Sequence, residues 1–433
     1  MPILPATSVD FFLGGLESFM RRSGQGSHWG VTRLQLEGRP DAETLTRAWE
    51  QIHAQHPMLG ARLKRAWRGW RWVWETQGTI AAPAICWHPA QSQPPDAAVI
   101  QARLQGKSSA GELTAPLWME VFPWGADGRH DVLLTWRHAL MDGSGVNLLL
   151  EKLAAGSCTS GPPPLAAPKR ESMGQVYKRA KPMRDRLKEM TTAGCLSAWI
   201  KGMPVEKGRL PEFSLIELSA EETARATARL RGLCGDFMQM PFYAAIAARA
   251  LRLLHEKRGW ESPEIHLQLP IQLRGRSRDL IFGNHMTSMP LFLDAGALGS
   301  VDQAVKHVLE QYREGMRKEV PQASEALMML SAHLPLNSFI PMVRLTNRGQ
   351  ICSLFHSHTG TFLPGRSEFA GARIQNVYTI PSVCTPPGLG IFVSDFAGRI
   401  TVTVAWRGDS VSAAEIEDLK RRIRTDLAGP AVE

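Results

Sequence analysis

The sequence contains no stretch approaching the roughly 18 to 20 uninterrupted apolar residues that a membrane-spanning helix requires, which excludes a bilayer-crossing helix. Its first ten residues carry no basic region followed by an apolar core and a small-residue cleavage site, so no secretory leader is read and a cytoplasmic chain is expected. Six cysteines, Cys86, Cys158, Cys195, Cys234, Cys352 and Cys384, lie scattered without a close pair. That spacing argues against a disulfide framework and against a zinc ribbon, and leaves reduced, packed thiols with no metal as the expectation. A glycine-rich phosphate loop is missing, and no basic stretch is interleaved with aromatics in the way a nucleic-acid surface demands. No nucleic-acid partner is therefore expected.

What is present is ordinary for a globular protein: 433 residues, 44% hydrophobic and 21% charged. That length makes two or three domains, or one large fold of two similar lobes. Lysine and arginine number 50 against 41 acidic residues, and the net charge of +9 favours anionic partners in general. Thirteen tryptophans imply broad apolar surfaces to cover.

The sharpest composition break is the Gly, Ser and Pro segment from Gly156 to Pro168, which supports neither helix nor strand. It predicts an N-terminal lobe over 1–155, a linker over 156–170 and a C-terminal lobe over 171–433. In the first lobe Val31 to Leu36 alternates as a strand, Asp41 is placed to cap a helix, and Leu45, Ala48, Trp49 and Ile52 fall at helical spacing. Ala61 to Ala66 and Trp70 to Glu75 flank Arg68-Gly69 as a hairpin, with Trp70, Trp72 and Trp74 on one face. In the second lobe Pro241 to Leu254 predicts a helix and Ile265 to Ile271 and Met286 to Leu293 predict strands. Gly388 to Asp395 and Ile400 to Trp406 predict a hairpin about Ala397-Gly398, and Ser412 with Glu415 a capping box for a last helix. Both lobes read as α/β.

The most informative segment runs from Asp131 to Val146. Val132, Leu134 and Trp136 alternate as a strand, His138 falls just past its end, and Val146, Leu149, Leu150 and Leu153 form a helix after Gly143 and Gly145. A histidine is thereby delivered at a strand-to-helix turn, on rigid backbone, with glycines that leave room beside it. With an ordinary pKa near 6.5, a neutral imidazole suits removal of a proton from a hydroxyl or amine. Asp142, four residues on, is placed to order the turn or to pair with a distant arginine.

His138-Ala-Leu-Met-Asp142-Gly143 resembles the HxxxDG motif of the chloramphenicol acetyltransferase-like superfamily, which includes nonribosomal peptide condensation domains, plant-type alcohol acyltransferases and wax ester synthases. Further similarities follow in order along the chain. Thr7-Ser8-Val9-Asp10 resembles the SPxD opening of wax ester synthases, and Asp41 to Trp49 with His56-Pro57-Met58-Leu59 resembles the first helix and HPxLR segment of condensation domains, Gly60 standing in the arginine's place. Pro270 to Arg274 followed by Gly283-Asn284 is similar to the superfamily's P-x-x-x-R and GN elements. Ser357-His358-Thr359-Gly360 lies where condensation domains often carry an S-N-x-G turn, with Ala372-Arg373 after it. Arg137 replaces the first histidine of the commoner HHxxxDG form; on a strand it points away from His138. Asp395-Phe396-Ala397-Gly398 shares two residues with the plant-type DFGWG motif but reads as a hairpin, which disfavours that branch.

The resemblance implies two chloramphenicol-acetyltransferase-like lobes of mixed sheet and helix in a V-shaped pseudo-dimer with a central tunnel. It implies an acyltransferase in which His138 is the base, Asp142 and Gly143 shape its loop, and Asp142 is bridged to Arg274, with Arg276 as the weaker alternative. Ser357 and His358 are candidates for tunnel lining or oxyanion contact. The donor would be acyl-coenzyme A or an acyl-phosphopantetheine on a carrier protein, the acceptor a small-molecule alcohol or amine, with no bound cofactor and a monomeric chain. A catalytically silent module that binds a carrier protein or recruits a partner enzyme is the rival reading, and a free-standing amide-forming condensation enzyme is a third. His53, His56, His356 and the basic Lys169 to Lys188 stretch read first as structural or solvated, the last also as a docking face for an acidic carrier protein or for coenzyme A phosphates.

Overall fold

The computed structural model describes residues 3–65, 72–76, 80–109, 111–156, 171–190, 196–199, 201, 203–205, 208–236, 238–261, 264–275, 278–408 and 410–429. Trp29–Glu37, rich in alternating apolar residues, is an inner strand of a six-stranded sheet. The order is Glu368–Phe369, Ala372–Pro381, Trp29–Glu37, Arg129–Arg137, Leu117–Trp124 and Cys86–Trp87. All neighbours are antiparallel except the last pair. Helices Ala42–Gln55 and Gly143–Ala154 cover one face, where Leu45, Trp49, Ile52, Leu149 and Leu153 pack with Leu34, Val132 and Leu134. Asp41 caps the first of these helices through Thr44 N, 2.8 Å away.

Two strands of this sheet, Glu368–Phe369 and Ala372–Pro381, come from the segment expected to form the C-terminal lobe, so the division at 156–170 does not separate two bodies of contiguous chain. The reason lies in hydrogen bonding. Trp29–Glu37 pairs with Arg129–Arg137 on one side, and its other edge would leave a row of N–H and C=O groups open unless a further strand filled it. Alternation along a strand reports its faces, not its partner. Apart from Gly156, the predicted linker lies outside the described residues.

The second body is built on a four-stranded sheet ordered Pro211–Glu217, Arg399–Arg407, Leu389–Phe396 and Phe355–Thr361, with a separate hairpin of Glu264–Gln272 and Met286–Asp294. Helices Ala220–Cys234, Gln239–Lys257, Val301–Arg317 and Ala413–Ala428 share one core with them. Ala397 and Gly398 turn the hairpin with φ of 47° and 73°, the pair of left-handed residues a type I′ turn requires. Ser412 and Glu415 form the capping box. The mixed α/β, two-body architecture agrees with the fold class expected from sequence. Strands Ala61–Arg65 and Trp72–Thr76 pair as anticipated, but Arg68-Gly69 and Trp70 lie outside the described residues.

Cys86, Cys234, Cys352 and Cys384 are free thiols, whereas Cys158 and Cys195 lie outside the described residues. Among the described residues, no helix is long and apolar enough to cross a membrane. Of the basic stretch, Lys169 and Arg170 lie outside the described residues, and the remainder folds into helices Met173–Arg179 and Lys181–Met190. Arg179 pairs with Glu171 at 2.6 Å and Glu325 at 3.0 Å, Lys181 pairs with Asp185 at 2.6 Å, and Arg186 donates to Gln311 at 2.7 Å. Arg179 and Lys181 are thus matched by carboxylates within the chain.

Candidate active site

Strand Arg129–Arg137 carries His138 past its end, and helix Gly143–Ala154 begins five residues later. Asp142 is the helix N-cap, its Oδ1 accepting from Gly145 N at 2.8 Å. The helix therefore starts at Gly143 itself, earlier than the apolar spacing indicated, because the cap satisfies the first orphan N–H groups. The same carboxylate accepts from Arg274 Nη1 at 2.9 Å and, through Oδ2, from His285 N at 3.0 Å. Both Asp142 and Arg274 are buried, and Arg274 also donates to Leu280 O at 2.7 Å. Arg276, the weaker candidate for this bridge, lies outside the described residues.

Gly145 is required by close approach: a Cβ there would lie 2.3 Å from the Ile281 carbonyl oxygen. The 281–285 loop thus rests directly on the turn. Gly283 N donates to Leu140 O at 2.7 Å, and Asn284 Nδ2 donates to Ala139 O at 3.1 Å and to Asp10 Oδ1 at 2.9 Å. Asp10 Oδ2 accepts from Trp74 Nε1 at 3.0 Å and from Thr7 N at 2.8 Å. Burial raises the Asp10 pKa, opposed by these hydrogen bonds. Residues 10, 139–142, 274 and 283–285, scattered across the sequence, are one connected polar network around the turn.

The backbone N of His138 donates to His28 O at 3.0 Å. Its imidazole stacks on that of His28 with centroids 4.7 Å apart and meets Trp136 edge-on at 5.2 Å. Trp136 in turn fills the space left by Gly30, where a Cβ would come within 2.8 Å of the indole. His138 as a residue is half-buried. Desolvation lowers its pKa, offset in part by its own backbone carbonyl and by the Asp142 charge. Nδ1 is buried with no partner in another residue. His28, which desolvation and then the neighbouring His138 push well below the ordinary value, was missed by sequence reasoning. It stands just before a tryptophan at a strand entrance and carries no motif of its own.

Ser357 and His358 lie on strand Phe355–Thr361, and alternation sends them to opposite faces. The Thr359 methyl reaches the motif helix, lying 2.7 Å from where a Cβ on Gly143 would sit. The His358 ring instead lies 4.8 Å from Tyr243 of helix Gln239–Lys257, in the second body, and burial pushes its pKa down to about 3. Thr359, which the sequence reading passed over, and Thr361, whose carbonyl accepts from Asn147 Nδ2 at 3.0 Å, thus meet the motif helix, whereas His358 packs against Tyr243.

The other histidines singled out have packing partners. His53 Nδ1 lies 2.9 Å from Trp49 O, His56 meets Phe282 at 5.0 Å, and His356 Nδ1 lies 2.9 Å from Ile391 O. Elsewhere Cys86, His88 and Glu120 cluster at the sheet edge, with His88 Nε2 2.9 Å from Glu120 Oε1. Arg103 donates to both oxygens of Glu120, so that buried carboxylate is already matched in charge. Arg137 turns away from His138, as strand geometry dictates, and donates to Glu17 Oε1 at 2.5 Å. A cavity of about 530 Å³ borders Arg137, Ala139 and Leu140, while His138 is not among its lining residues.

No family model matches the chain, and no relative is found among curated proteins. Solved structures do match over the full length. The trichothecene 15-O-acetyltransferase TRI3 from Fusarium sporotrichioides is 14% identical, with 99% of this chain and 96% of that one covered and a TM-score of 0.71. The first condensation domain of the calcium-dependent antibiotic synthetase is 18% identical, covering 100% and 98%, with a TM-score of 0.67. Polyketide synthase associated protein 5 from Mycobacterium tuberculosis is 15% identical, covering 98% and 97%, with a TM-score of 0.60. The chain has the chloramphenicol acetyltransferase-like fold that condensation domains and the TRI3 acetyltransferase share.

Proposed function

We propose that the protein is an acyltransferase that moves an acyl group from a thioester, on coenzyme A or on a carrier-protein phosphopantetheine, to an alcohol or amine acceptor. An acyl-transfer or condensation-like module is the class its structural neighbours support, since they include an acetyltransferase and condensation domains. The observation that carries the reading is the placement of His138 on a turn fixed by the buried Asp142–Arg274 pair and by the 281–285 loop. Nδ1 is buried without a hydrogen-bond partner, and Nε2 is the ring nitrogen we assign as the base. Nε2 takes the proton of the acceptor O–H or N–H, the acceptor attacks the thioester carbonyl, and the tetrahedral oxyanion collapses with release of thiolate, which recovers the proton from the imidazolium. Thr359, which reaches the motif helix, and Ser357, two residues before it, are the groups we assign to the acceptor or oxyanion side.

His138→Ala is expected to lower transfer by about 10²- to 10⁴-fold with little change in melting temperature, read by mass spectrometry with coenzyme A thioesters and a panel of acceptors. The base works as neutral imidazole and burial lowers its pKa, so the rate rises with pH along a limb centred below about 6.5 and is flat above it. Turnover by His138→Ala near that of the wild type would overturn the assignment. A second reading, a silent module that binds a carrier protein, is favoured by the His28 ring stacked over His138 and by the cavity that borders its neighbours without reaching it. No transfer by the wild type with any donor, alongside binding of a carrier protein, would select it.

A further inference from the structure

The 530 Å³ cavity beside the motif lies between helix Ser8–Arg22, the Ala61–Arg65 hairpin strand and the start of helix Leu336–Thr346, on the Arg137 side of the chain. Its volume falls in the range of roughly 300 to 1,000 Å³ that holds a small organic ligand. Leu63, Trp74, Leu140 and Leu336 give it an apolar interior. Its charged residues are Arg21, Arg22, Arg62, Arg137 and Glu17, so four arginines face one carboxylate and three positive charges remain. Glu17 accepts from Arg137 at 2.5 Å and from Arg21 at 2.9 Å. Arg22 donates to the Asn337 carbonyl at 2.7 Å, and Arg62 makes no ion pair among the described residues.

We infer that this cavity is a binding site for a small amphiphilic anion, an alkyl or acyl chain ending in a carboxylate or phosphate, whose chain enters the Leu63, Trp74 and Leu140 interior and whose head group is held by Arg62 and Arg22. Glu17 already displays the interaction that Arg21 and Arg137 make with a carboxylate. An excess of guanidinium around an apolar floor fits neither a neutral nor a cationic chain. The site stands apart from the transfer chemistry because His138 does not line it.

Isothermal titration of the full chain with octyl phosphate, octanoate, 1-octanol and octylammonium tests this. At least one of the two anions binds at a single site, and the alcohol and the ammonium bind at least ten-fold more weakly. Tight binding of octyl phosphate alone assigns a phosphate head, of octanoate alone a carboxylate. Arg62 is solvent-facing, so Arg62→Glu leaves folding intact; it removes two of the three excess charges and weakens the anion roughly ten-fold. His138→Ala binds as the wild type does, which separates this result from the fate of the transfer reading. Binding of 1-octanol as tight as that of both anions, no binding of either anion, or wild-type affinity in Arg62→Glu would each overturn the inference.

Discussion

Replacing Asp142 by alanine removes three interactions at once, and their sizes follow from the geometry. The carboxylate caps a helix through Gly145 N at 2.8 Å, a contact worth about 1 kcal/mol. It also accepts from the His285 N–H at 3.0 Å, whose loss leaves a half-buried donor unpaired at about 1 kcal/mol or more. The largest consequence is the stranded guanidinium: the Arg274 side chain is 5% exposed, and breaking a buried pair costs about 3 to 5 kcal/mol. These effects overlap, so a total near 5 kcal/mol is expected. With an unfolding entropy of about 2.1 cal/mol/K per residue, that lowers the melting temperature by about 5 °C. The decisive assay is a double-mutant cycle followed by circular dichroism. Arg274→Met alone strands the carboxylate, but Asp142→Ala with Arg274→Met strands neither charge, so the double variant should be more stable than the sum of the singles predicts by about 2 to 3 kcal/mol. Strict additivity, or an Asp142→Ala protein that melts with the wild type, would refute the claim that this ion pair holds the turn.

Gly145→Ala forces the turn against the Ile281 carbonyl, which is backbone and cannot rotate away, and should cost about 1 to 3 kcal/mol; Gly143→Ala meets only the Thr359 methyl and should cost less, as thermal melts of the two variants will show. Equal melting temperatures would mean that the 281–285 loop does not rest on the turn. Stability should also fall in mild acid. His56, His255, His266 and His356 are buried, and desolvation first of all takes each pKa to about 4. Their stabilisation is complete above about pH 6.5 and drains as the pH falls toward 4, because the unfolded chain takes up protons that the folded one refuses. At pH 5.5 each costs on the order of 1 kcal/mol, so urea midpoints should drop between pH 7 and 5.5; a midpoint that holds constant would show that these rings accept protons in the folded state.

Much of the local structure was legible in the chain itself. The apolar period, Asp41 and the Ser412–Glu415 box, and the glycine after Ala397 are short-range signals, because helix caps and tight turns are decided by residues within a few positions of one another. The motif turn was legible for the same reason, as strand, histidine, cap and helix lie within one stretch. The Asp142–Arg274 pair was reached through resemblance, and in the structure the two side chains lie 2.9 Å apart. Tertiary structure alone decided the rest. The strand partner of Trp29–Glu37 was chosen by an unfilled edge more than 330 residues away in sequence, which breaks the expected division of lobes. The stacking of His28 on His138, the approach of Thr359 rather than His358 to the motif helix, and the four arginines around one apolar cavity arise where distant segments pack. A side chain's pattern fixes which face it shows, but what that face meets is set by the closure of the whole chain.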